Sequence, residues 1–214
     1  MEIVDLRPDD WDAVRQAAAL LVAAFCEHWP TAWPDLKAAL REVRASFAEG
    51  RVSRIAVEQG VVLGWIGGIP GYDGNVWEVH PLAVRPDCQR KGIGRALLAD
   101  LEALAAERGA LTLWVGTDDE DGMTSLAGVD LYEDVLGHLA RIRNVKGHPY
   151  EFYQKAGFVI VGVVPDANGP GKPDILMAKR VQRRAGAKPH RPLSPSSPCA
   201  GKRGNARRTG GARG

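Results

Sequence analysis

The chain has 214 residues, 45% apolar and 25% charged, which excludes collagen-like and wholly disordered classes and allows one sizeable core. Its net charge of +2 joins unlike parts: residues 183–214 hold nine Lys or Arg and no acid, leaving 19 basic against 26 acidic side chains in residues 1–182. That acidic body argues against a nucleic-acid-binding main domain and suits a cationic ligand.

Glu2–Leu6 reads as a strand, and Pro8-Asp9-Asp10 opens a helix with acids in its first turn. Val14, Ala17, Ala18, Leu21, Val22 and Phe25 continue it at helical spacing. A connector from Trp29 to Trp33 is punctuated by Pro30 and Pro34, and a second helix over Asp35–Ala48 stops at Gly50. Ile55–Val57 and Val61–Ile69 are strands joined at Gln59-Gly60, and Gly71–Asn75 connects to a strand over Val76–Val84. A Gly-rich turn then leads into an amphipathic helix over Ile93–Arg108. A strand over Leu111–Val115 precedes the acidic stretch Thr117–Gly122, and Pro149–Ala156 reads as a short helix closed by Gly157. Phe158–Val164 and Asp174–Ala178 complete a mixed α/β sheet with helices on both faces.

Residues 1–182 thus form one domain. The tail 183–214, rich in Gly, Pro, Ser and Arg, offers no apolar periodicity and is expected to be disordered. It reads either as a solubilising extension or as an RNA- or membrane-attracting arm. Cys26, Cys88 and Cys199 are too few for a disulfide framework or zinc site, the four body histidines are isolated, and no signal peptide or membrane span is visible. The expected location is the cytoplasm, with no metal and no membrane partner.

The turn Arg85–Arg95 lies between a strand and a helix, where successive N–H groups can converge on an anion. Gly92 and Gly94 permit close approach, while Arg90, Lys91 and Arg95 add positive charge. It is neither a Walker loop nor GxGxxG, and an ordinary strand-to-helix turn is the plain alternative. Glu78 and His80, two apart on one strand, emerge on the same face. They form either a solvated edge or a pair that attracts an ammonium and accepts its proton. Asp118, Asp119, Glu120 and Asp121 read as a solvated loop or as the rim of a cation site, and Trp29 and Tyr72 as core aromatics or as flat faces for sugar rings.

VHPLAVRPDCQRKGIGRALL, followed later by HPYEFYQKAGF, resembles motifs A and B of the GCN5-related N-acetyltransferases. GGIPGYDGNVWEVHPL, LWVGTDDEDGMTSL, DLYEDV and VIVGVVPDANGPGKPDILMAK are similar to the intrinsic chromosomal aminoglycoside 6′-N-acetyltransferases, the likeness spanning roughly residues 2–180. The resemblance implies a mostly antiparallel sheet with a splayed parallel pair, and acetyl-CoA held by Leu82, Ala83, Val84, Gln89, Arg90, Lys91, Gly92, Ile93, Gly94, Arg95 and Tyr153.

It also implies that Glu78 receives the amine, His80 positions it, the Leu82 N–H polarises the thioester carbonyl, and Tyr153 protonates the CoA thiolate. Packing in the core is the other reading for Tyr153. Acceptor contacts fall to Trp29, Tyr72, Glu78, Asp118 and Asp121. Direct transfer in a ternary complex is implied, so a covalent route through Cys88 is disfavoured. The expected protein is a homodimeric antibiotic-resistance enzyme. The alternatives are an acetyltransferase for peptide, protein or polyamine amines, and a module acting on RNA through its tail.

Overall fold

A computed structural model describes residues 1–181; the tail expected from residue 183 onward lies outside the described residues. The elements run β1 (Glu2–Asp5), α1 (Trp11–Phe25), α2 (Leu36–Ala45), β2 (Val52–Glu58), β3 (Val61–Gly71), β4 (Val76–Val84), α3 (Ile93–Glu107), β5 (Thr112–Asp118), α4 (Val135–Ala140), α5 (Tyr150–Lys155), β6 (Val159–Val164) and β7 (Asp174–Arg180). The strands form one sheet in the order β1-β2-β3-β4-β5-β7-β6, antiparallel everywhere except between β4 and β5. This is the mixed α/β architecture that the sequence leads one to expect. No helix among the described residues is long and apolar enough to cross a membrane.

Local chemistry sets the helix starts. Asp10 accepts from the Ala13 N–H at 3.0 Å and Asp35 from the Ala38 N–H at 2.7 Å, caps that each contribute about 1 kcal/mol. Alternation along the strands feeds two cores. Ala56, Ile66, Trp77, Leu113 and Val115 pack with Leu97 and Leu101 of α3 and with Tyr150 and Tyr153 of α5. On the opposite face Ile55, Trp65 and Ala83 pack with Leu21 of α1 and Val43 of α2. Trp65 is fully buried and its indole N–H donates to Ser53 Oγ at 2.9 Å.

Several boundaries differ from the sequence reading: α2 ends at Ala45 rather than Ala48, and β5 runs to Asp118 rather than Val115. β2 begins at Val52 and β7 runs to Arg180, because cross-strand partners continue past the apolar runs. Helix α4 was not expected. Its N-cap, Asp134, accepts from the Gly137 N–H, and none of its six residues is fully buried, so it carries little apolar periodicity.

Candidate active site

The functional cleft begins where two strands part. β4 and β5 run parallel for three residue pairs only, from Val76↔Thr112 to Glu78↔Trp114. Beyond that point β4 continues to Val84 and β5 to Asp118 without pairing. The cause lies in the opposite neighbour: between Ile66↔Leu82 and Gly68↔Val79, β4 takes one residue more than β3. This bulge at His80-Pro81 bends β4 away from β5. Gly67 faces it, and any Cβ there would run into the His80 carbonyl.

The bulge also determines which backbone groups face the gap. Arg85 donates its N–H to the Leu63 carbonyl at 2.9 Å. Bonded and non-bonded pairs alternate along an antiparallel ladder, so Ala83 bonds toward β3 while Leu82 and Val84 turn their N–H and C=O groups into the open seam. Gln89 Nε2 reaches the Val84 carbonyl from that side at 3.4 Å.

A cleft of about 670 Å³ passes through the seam. On one side it is walled by Gln89, Pro149 and Tyr153, and on the other by Phe25, His28, Trp29 and Trp33. Leu82, Ala83, Val84, His80, Gly116 and Asp118 form its throat. Tyr153 belongs to the core and to the wall at once: its ring meets Phe158 edge-on at 5.4 Å, and burial holds its hydroxyl well above the usual phenol range. Phe152, one residue earlier, packs against Gly94 and docks α5 onto the start of α3.

The Gly-rich turn stands beside the Gln89 wall. Gly92 adopts φ +89° as the N-cap of α3, with no side chain bonded to the helix's first N–H groups. Those donors are therefore open to an anion. Arg90, Lys91 and Arg95 are exposed, whereas the Ile93 side chain is in the core, so Ile93 can offer only its backbone.

On the other side, His80 lies between two carboxylates, Glu42 at 3.5 Å and Glu78 at 3.9 Å. The Glu42 carboxylate raises the His80 imidazole above its ordinary range against the opposing effect of burial, and His80 in turn lowers Glu42. The charged form of His80 is thereby favoured, which suits the ring to orienting a carboxylate more than to taking a proton.

The Trp29–Trp33 connector is tied across the cleft. The Trp29 indole N–H donates to the Asp118 carbonyl at 3.0 Å, and His28 Nδ1 lies 3.1 Å from Asp121 Oδ2. The buried His148, its imidazole lowered by desolvation, also reaches the Asp118 carbonyl at 3.1 Å. Glu78 and Asp121 border this side without lining the cleft itself. Tyr72 sits on the β3–β4 hairpin, 80% exposed, outside the cleft lining.

The acidic run is not uniformly solvated. Asp119 is fully buried and accepts from the N–H groups of Met123 and Thr124 and from the Thr124 hydroxyl at 2.6–2.8 Å. It shapes the loop that follows Asp118 at the end of β5 and carries Asp121. The pattern of an Asp followed closely by Gly122 and Thr124 was the available sequence signal. Glu42, Asp174 and His148 were also missed; their partners lie too far away in the chain for spacing to reveal Glu42 or Asp174.

Residues 14–137 match the model of the Acetyltransferase (GNAT) family. A solved aminoglycoside 6′-N-acetyltransferase complexed with coenzyme A is 38% identical, with a TM-score of 0.78 over 86% of this chain and 99% of its own. The aminoglycoside 6′-N-acetyltransferase from Enterococcus faecium is also 38% identical over the same shares, with a TM-score of 0.76. An aminoglycoside 6′-acetyltransferase type Ii is 33% identical over 86% and 99%, with a TM-score of 0.64. No curated protein sequence matches. The splayed seam, the open start of α3 and the family match together make this chain an acetyltransferase of the GNAT family.

Proposed function

We propose that the chain transfers the acetyl group of acetyl-CoA to the 6′-amine of aminoglycosides. The observation that carries this reading is 38% identity to the chains of two solved aminoglycoside 6′-N-acetyltransferase structures over 99% of their length. The residues present fit a CoA thioester: the uncapped start of α3 with Gly92, Gly94, Arg90, Lys91 and Arg95 suits a pyrophosphate. The seam donors at Leu82 and Val84 suit a carbonyl and an extended amide arm.

In this reading the acceptor ammonium meets Glu78 and gives up a proton there or to water. The amine nitrogen attacks the thioester carbonyl, whose developing oxyanion is stabilised by the Leu82 N–H; one such donor contributes ~10²–10³ in rate. The C–S bond breaks, Tyr153 protonates the departing thiolate, and the attacking nitrogen gives its second proton to water, from which Tyr153 is reprotonated, so that the amide leaves neutral. His80 is a positioning residue that holds Glu78 in place. Trp29, Asp118 and Asp121 bound the acceptor side, where an acidic rim concentrates polycations.

The test is thiol release from acetyl-CoA with kanamycin A, using an aminoglycoside with a 6′-hydroxyl as control. Release with the first and not the second supports the reaction and its position; release with neither overturns the reading. We carry forward as proposals a cytoplasmic homodimer that confers antibiotic resistance, and a domain boundary near residue 182. The exposed Val159 and Val161 on edge strand β6 favour self-association there, which light scattering measures.

A further inference from the structure

Gly116 lines the cleft near the open end of β5. A Cβ built on it would lie 2.6 Å from Asp174 Oδ2 and 3.0 Å from Oδ1. The Asp174 carboxylate therefore occupies the space that a cleft-lining side chain at residue 116 would fill. Register places it among the acceptor-side groups: Asp174 opposes Asp118, and Trp114 opposes Glu78. Glu78, Trp114, Gly116, Asp118 and Asp174 therefore share one sheet face.

The two aspartates are treated differently by the fold. Asp118 Oδ1 accepts from the Asn168 amide, whereas Asp174 Oδ1 is buried with no hydrogen-bond partner. Burial, then the charges of Asp118 and Glu78, push the Asp174 carboxyl up to about 6 despite a bond from the Thr117 N–H. A carboxylate kept in this state costs folding free energy that the protein alone does not recover. A cation with its own N–H donors removes the deficit.

Building on the function proposed above, we propose that Asp174, seated in the notch left by Gly116, is a specificity residue that engages a second ammonium of a polycationic acceptor. Glu78 meets the amine that is acetylated. An acceptor with a single amine occupies Glu78 and leaves Asp174 unanswered; one with several amines answers both.

The test compares kcat/KM for kanamycin A, a polyammonium acceptor, with that for 6-amino-6-deoxyglucose, which carries one amine, in the full chain and its variants. Asp174→Asn keeps the shape and removes the charge; Gly116→Ala displaces the carboxylate with a methyl group. Each is expected to lower the ratio of the two kcat/KM values roughly 10- to 100-fold, mainly through KM for kanamycin A. An unchanged ratio in a folded Asp174→Asn protein overturns the role of Asp174 and leaves the proposed function standing. If Asp174→Asn does not fold, Gly116→Ala decides by the same ratio. Failure of the unaltered chain to acetylate either acceptor overturns both.

Discussion

The two sides of the cleft are built by different means. In the proposed reading the cofactor side would use backbone groups from one continuous stretch, Leu82–Arg95, with Tyr153 added from α5. The acceptor side, in the same proposal, would draw on side chains from five separate places: Trp29 after α1, Glu42 of α2, Glu78 of β4, Asp118 of β5 and Asp174 of β7. A thioester donor is the same in every turnover, so fixed N–H donors suffice for it. A polycationic acceptor is matched by charge and shape, which side chains on independent elements can adjust.

That contrast is sharpest in Glu78→Ala, which should lower kcat/KM for kanamycin A by ~10²–10⁴. Its acetyl-CoA affinity by calorimetry should stay within about twofold of the parent, since Glu78 lies on β4 outside the pyrophosphate turn. Equal losses on both sides would erase the distinction. The reciprocal change is Gly92→Val. A side chain at φ +89° costs roughly 1–2 kcal/mol, so acetyl-CoA should bind about tenfold more weakly while KM for the acceptor changes little.

Tyr153→Phe should lower kcat by only about two- to tenfold, because a thiolate leaves tolerably without a proton donor; a much larger drop would assign Tyr153 a further duty. Asp119→Asn tests the loop beneath the acceptor side. It turns an amide NH₂ toward a buried N–H donor, costing about 1–3 kcal/mol by thermal or urea unfolding.

The smallest expected effect is on the pH dependence of stability. The folded Asp174 carboxyl sits at about 6 against an ordinary 3.8, so between these values the folded chain holds a proton that the unfolded chain has released. Its contribution to stability is complete below about pH 4 and is lost as pH rises through 6. Unfolding midpoints measured from pH 4 to 7 should therefore fall less in Asp174→Asn than in the parent. The His80–Glu42 pair acts at both ends: Glu42 loses its contribution as pH falls through its lowered value, and His80 as pH rises through its raised one.

Most of the fold was legible because its signals are local. Caps at Asp10 and Asp35, the Gly92 turn and strand alternation all act within a few residues. α4 escaped notice because a six-residue helix with no fully buried side chain leaves no stripe to read. The acidic run was read as one unit, whereas burial separates Asp119, a loop anchor, from its neighbours.

By itself the sequence determined the order of the strands and of every helix but α4, the acidic character of the body, and the turn whose glycines leave a helix start open. Those properties follow from composition, periodicity and backbone conformation at single residues. Only the tertiary structure decided that β4 bulges at His80-Pro81 and parts from β5. It alone placed Glu42 beside His80 and seated Asp174 over Gly116. These meetings join residues tens of positions apart, and which groups meet is fixed by strand register and sheet order, quantities that no local pattern encodes.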